Sequence, residues 1–117
     1  MRKVIANVKV RLVMSLGKND DENDAIDDLD YKFIAADHAT VEDTEIMDTE
    51  IIDASAYDAG KKKRVVANLT VKLVITVNEG VAFSDVIDEM DYDFFAAEIH
   101  HMVESTEILD YDVVDSR

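Results

Sequence analysis

The sequence predicts an α+β fold made by internal duplication, a βαβ unit followed by a second βαβ unit, and three observations predict it. Residues 3–37 match residues 64–98, and 38–54 match 100–116; each copy opens on strict apolar and polar alternation; and each then carries a short apolar stripe at helical spacing. The repeat is read residue by residue. Val4, Ala6, Asn7, Val10, Leu12 and Val13 return as Val65, Ala67, Asn68, Val71, Leu73 and Val74, and Asp30-Tyr31, Phe33 and Ala35-Ala36 return as Asp91-Tyr92, Phe94 and Ala96-Ala97. At 117 residues the chain is read as a single domain, 1–117, of two repeats (3–54 and 64–116) joined by a polar linker at 55–63 with Gly60 as its pivot.

In the opening stretch of the first copy Val4, Val8, Val10, Leu12, Met14 and Leu16 fall on one side of an extended chain, and Asn7, Lys9, Arg11 and Ser15 on the other. The second copy does the same with Val65, Leu69, Val71, Leu73, Ile75 and Val77 against Asn68, Thr70, Lys72 and Thr76. Both are therefore half-buried strands. A short helix follows in each, with Asn23 and Ser84 as expected N-caps and Ala25-Ile26-Leu29 or Val86-Ile87-Met90 as its apolar stripe. Asp24, Asp27, Asp85 and Asp88 suit the positive end of the helix dipole. Tyr31, Phe33, Tyr92 and Phe94 come next and are expected to cap the core. The closing stretches, about 41–53 and 103–115, mix β-branched residues with acids in imperfect alternation and predict a bulged strand.

Two such units assemble most simply as a ferredoxin-like four-stranded antiparallel sheet with two short helices on one face and the opening strands at its centre. An intertwined dimer, or a barrel of paired sheets, is the rival arrangement.

The charge is extreme and segregated. There are 27 acidic and 12 basic residues, for a formal net charge of −15, yet residues 1–19 and 59–78 contain no acid and hold every basic residue except Lys32 and Arg117. On the expected sheet the central strands are basic on their open face, while edges, helices and loops are acidic. Such a balance disfavours direct binding to nucleic acid and favours a basic protein partner. It also protects edge strands from aggregation, and Lys9, Arg11 and Lys72 are placed to face acids on neighbouring strands. With no cysteine, disulfides and thiolate metal sites are excluded. No apolar run approaches the length of a membrane span and no signal-peptide core follows Met1, so the expectation is a cytoplasmic protein without membrane contact.

Motifs for chemistry are weak. The run from Asn19 to Asp24 offers oxygen ligands, but it lacks the glycine a calcium loop requires, and Asn78 to Phe83 in the other copy has almost no ligands. His38, His100 and His101 are too few and too isolated for a metal or acid–base site. Lys61 to Arg64 reads as a solvated turn entering a strand. Phe83, Phe95, Tyr57 and Tyr111 occur in one copy only, which makes them candidates for a partner surface rather than for the shared core. No nucleophile elbow or phosphate-binding glycine loop occurs.

The expectation is accordingly a non-enzymatic acidic binding protein without cofactor or metal. Small, acidic, duplicated and lacking catalytic apparatus, it is similar in general character to phage and mobile-element proteins that inhibit restriction or CRISPR machinery. Asp and Glu on the edge strands and helices are expected to form a surface like the phosphate array of a nucleic acid, directed at the basic channel of a nuclease or other nucleic-acid-binding protein. Glu42, Asp48, Glu50, Glu104, Asp110 and Asp112 are the residues expected to meet it. The alternative is a structural or assembly module that self-associates, as a homodimer, through its sheet face or edge strands.

Overall fold

The computed structural model describes residues 1–35, 38–96 and 101–116. Its elements run β1 (Arg2–Gly17), α1 (Glu22–Asp27), β2 (Asp30–Ile34), β3 (Ala39–Tyr57), β4 (Lys62–Val77), α2 (Phe83–Asp88), β5 (Asp91–Phe95) and β6 (Met102–Ser116). The long strands form one antiparallel sheet in the order β3-β4-β1-β6, and β2 pairs with β5 in a separate two-stranded ribbon. The shape is elongated, 54 × 22 × 19 Å, because a sixteen-residue strand alone extends about 54 Å.

The alternating stretches that open the two copies become the central pair. Arg2 faces Val77 at one end and Gly17 faces Lys62 at the other, without a slip. Lys9 and Thr70, which correspond in the duplication, face each other in this ladder, as Lys32 and Asp93 do in the ribbon. A pseudo-twofold axis therefore passes through both sheets. Each closing strand pairs with the opening strand of the other copy, β3 with β4 and β6 with β1, so the halves are interlocked and neither completes its sheet alone.

One face of the central pair is the core. Val8, Val10, Leu12, Val71, Leu73 and Ile75 are fully buried there, each contributing about 1.5–3 kcal/mol relative to exposure. The ribbon and the helices cover them. Tyr31 stacks on Phe94 and Phe33 on Tyr92, at 5.8 and 5.9 Å between centroids, and Phe33 meets Phe94 edge-on at 5.9 Å. The Tyr31 hydroxyl donates to the Thr44 carbonyl (3.5 Å) and the Tyr92 hydroxyl accepts from the Ile108 N–H (3.2 Å), tying the ribbon to both edge strands.

This corrects the expected ferredoxin-like βαβ-βαβ sheet with helices as its cover. The protein is mostly β, with 69% of the described residues in strands and 11% in helices, and the second layer is largely the β2–β5 ribbon. Asp30 to Ile34 and Asp91 to Phe95 alternate inward aromatic with outward residues, the period of a strand, so the segments expected only to cap the core do so as strands. The helices stop after six residues. Asp27-Asp28 and Asp88-Glu89 stand at their C-terminal ends, where acid opposes the dipole, and no base accompanies them in the last turn. The caps differ as well: Asp21, not Asn23, accepts the Asp24 N–H at 3.0 Å, and Ala82, not Ser84, precedes α2 without a side-chain bond.

Strand β3 continues to Tyr57 and β4 begins at Lys62, which narrows the junction of the copies to a hairpin turn. Asp58, Ala59 and Gly60 take left-handed conformations with φ of 54°, 55° and 79°, and the Lys61 N–H closes the turn on the Asp58 carbonyl at 3.1 Å. No helix is long and apolar enough to cross a membrane among the described residues.

Candidate functional site

The closing strands are built on a five-residue period. Val41-Glu42-Asp43-Thr44-Glu45 is followed by Ile46-Met47-Asp48-Thr49-Glu50 and Ile51-Ile52-Asp53, and β6 repeats it with Val103, Ile108 and Val113 in the leading place. The register of β3 shifts once in each period, between Val41 and Asp43, Ile46 and Asp48, and Ile51 and Asp53. In β6 the skipped residues are Glu104, Leu109 and Val114. Each period thus spends one residue on a bulge and presents the remaining four in alternation. An odd repeat becomes compatible with a two-faced strand.

The consequence is an ordered row of charge. Asp43, Glu45, Asp48, Glu50 and Asp53 stand opposite Val74, Lys72, Thr70, Asn68 and Val66, alternate residues of β4 that all point away from the core. Glu107, Asp110, Asp112 and Asp115 likewise stand opposite Arg11, Lys9, Asn7 and Ile5 of β1. Carboxylates therefore recur about every 6.8 Å along both edges of the open face, and the two rows lie about 14 Å apart, three strand spacings.

Between the rows run Lys3, Lys9 and Arg11 of β1 with Arg64 and Lys72 of β4. Arg11 Nε reaches Asn68 Oδ1 at 3.4 Å, whereas Lys9 and Lys72 neighbour Asp110 and Glu45 only through the ladder register. Arg64 grips Glu104 through Nε and Nη2 at 2.7 and 3.2 Å, lies 4.6 Å over the Tyr57 ring, and is held more firmly protonated by that carboxylate. Beneath it the Ser15 and Tyr57 hydroxyls are hydrogen-bonded. On the opposite side of the axis Thr76 donates to Glu42 at 3.0 Å.

All six expected contact residues are exposed, and the structure divides them. Asp48, Glu50, Asp110 and Asp112 belong to the rows, whereas Glu42 and Glu104 are bulge residues engaged by Thr76 and Arg64. Asp43, Glu45, Asp53, Glu107 and Asp115 complete the rows and were not singled out from sequence; the five-residue period is the signal that identifies them. Asp43, Asp48 and Asp110 also accept the backbone N–H of the following residue at 2.9, 2.9 and 2.8 Å. Those edge donors are occupied by the strand's own side chains.

Several of the remaining candidates have structural partners. In the acidic loop Asp20 accepts the Gly17 N–H at 2.8 Å and meets His101 Nε2 at 2.9 Å, while Asp21 caps α1. His38 is exposed, and His100 lies outside the described residues. Among the described residues no group of three or more His, Asp or Glu side chains is arranged to hold a metal. Lys63 joins Glu22 at 2.7 Å, and that hydrogen bond holds the Glu22 carboxyl below its ordinary range. Of the aromatics found in one copy, Phe83 packs edge-on against Tyr111 at 5.7 Å, Tyr57 lies under Arg64, and Phe95 stays half exposed on the outer face of the ribbon. Comparison with protein-family models, curated proteins and solved structures finds no match to this chain.

Proposed function

We propose that this is a non-enzymatic binding protein whose two carboxylate rows imitate the paired phosphate strands of a nucleic acid and occupy the basic groove of a nucleic-acid-binding protein. The carrying observation is the pair of rows, Asp43 to Asp53 and Glu107 to Asp115, at regular spacing along opposite edges of one face. Nine carboxylates over about 27 Å give one charge per roughly 3 Å, against about 1.7 Å in duplex DNA. The density is about half that of the duplex. The central lysines and arginines reduce the field midway between the rows, so a partner's cations are drawn to the rails. Such attraction accelerates encounter and weakens with salt.

Defence nucleases of the restriction and CRISPR kinds present grooves of this sort, and a cytoplasmic inhibitor of one is the specific reading. Its test is displacement of fluorescent duplex DNA from a panel of such nucleases. The parent protein displaces DNA at low salt, and a variant carrying Asp48→Lys, Glu50→Lys, Asp110→Lys and Asp112→Lys does not. Equal displacement by both proteins, or none by the parent across the panel, overturns the proposal.

Self-association is the second reading, favoured by exposed Met47 and Ile52 on β3 and Leu109, Val113 and Val114 on β6. Light scattering separates the two, because apolar association persists at high ionic strength while a charge-driven complex dissociates.

A further inference from the structure

The duplication is broken at one place in a way that bears on surface shape. In the second copy Tyr111 of β6 packs against Phe83 at the start of α2, with centroids 5.7 Å apart, and bridges helix to edge strand. The corresponding residues of the first copy are Thr49 and Glu22, neither aromatic, and Glu22 is engaged by Lys63 at 2.7 Å. On that side a cleft of about 560 Å³ lies between α1, β2 and β3, within the roughly 300–1,000 Å³ typical of binding clefts. Ile26, Leu29, Tyr31 and Ile46 supply its apolar lining. Asp27, Glu45 and Asp48 supply charge of one sign, and among the described residues no cation lines it.

We propose that this cleft docks a protein segment presenting one aromatic side chain flanked by lysine or arginine. The aromatic is what the second copy itself places at the position of Thr49. The flanking cations are what three carboxylates around an apolar lining complement, and an aromatic anchor gains by leaving water while the charges fix its orientation. Met47, 54% exposed at the cleft, is an unbranched side chain able to adjust to the incoming ring. This goes beyond the nucleic-acid reading: Glu45 and Asp48 border the cleft as well as belonging to the row, but the residues that distinguish the first copy, Thr49 and Glu22, lie in neither carboxylate row.

The probe is a peptide of two lysines, tryptophan and two lysines, titrated into isotope-labelled protein. Shift changes are expected at Ile26, Leu29, Ile46 and Thr49, with at least tenfold weaker binding when alanine replaces the tryptophan. Introducing the second copy's residues, Glu22→Phe with Thr49→Tyr, is expected to weaken the tryptophan peptide at least tenfold. Should that pair disturb the spectrum, Thr49→Tyr alone carries the same expectation. Equal affinity for the two peptides with shifts spread along both edges, unchanged binding by the variant, or no binding at millimolar peptide overturns the proposal. Thr49→Tyr leaves every carboxylate of both rows in place, so DNA displacement by that variant is expected to equal the parent's, and the two readings fail separately.

Discussion

Lys9 and Thr70 occupy the same place in the two copies and face each other across the central ladder, so the pseudo-twofold axis passes between them on the open face. A symmetric sequence would set like residues in opposition there. Thr70→Lys would set an ammonium opposite Lys9, a like-charge pair that costs up to about 1 kcal/mol, but also opposite Asp48 of β3, an opposite-charge pair of similar size. In an Asp48→Asn background, where the second pair is removed, Thr70→Lys is expected to unfold at lower urea than that background in dilute buffer, with the gap shrinking in 0.5 M salt as screening shortens to a few ångströms. Urea midpoints at the two salt concentrations check it.

The helix caps offer a matched pair of substitutions. Asp21→Ala removes the carboxylate that accepts the Asp24 N–H and is expected to destabilise by about 1 kcal/mol. Ala82→Asp installs the missing cap at an extended residue (φ −73°, ψ 137°) and is expected to stabilise by a similar amount. Opposite shifts in thermal midpoint are the expected result, and two shifts of the same sign would contradict the cap assignment.

The hairpin turn between β3 and β4 holds Ala59 at φ 55°, a conformation an L-residue pays about 1 kcal/mol to adopt. Ala59→Gly relieves it, at some cost in unfolded-chain entropy. A net gain of a few tenths to about 1 kcal/mol is expected, read as a rise of several degrees in thermal midpoint.

Glu22 titrates below its ordinary value because the Lys63 ammonium donates to it. A carboxyl depressed in the folded state stabilises above its unfolded pKa of about 4.5, and that contribution disappears as pH falls through the lower folded value. Glu22→Gln therefore lowers stability near neutrality and converges on the parent in acid below that value. Denaturation of both proteins between about pH 3 and pH 7 tests the convergence, and a gap constant across that range would exclude the linkage.

Sequence alone determined the features that repeat or alternate locally. Val4 to Leu16 and Val65 to Val77 announce one-sided strands because a period of two is visible in any short window, and the separation of Lys9, Arg11 and Lys72 from the acids is plain in the linear order. Tertiary structure decided what depends on distant partners. Tyr31-Lys32-Phe33 is too short to declare itself a strand; it becomes one by pairing with Tyr92 to Phe94, far along the chain, and the resulting ribbon takes the place expected of helices. The bulges at Glu42, Met47 and Ile52 likewise exist only against the unbroken alternation of β4, and that match turns a five-residue repeat into an aligned row of carboxylates. Local periodicity follows from side-chain geometry along a single strand, whereas which strand lies beside it is settled by burying the shared apolar face.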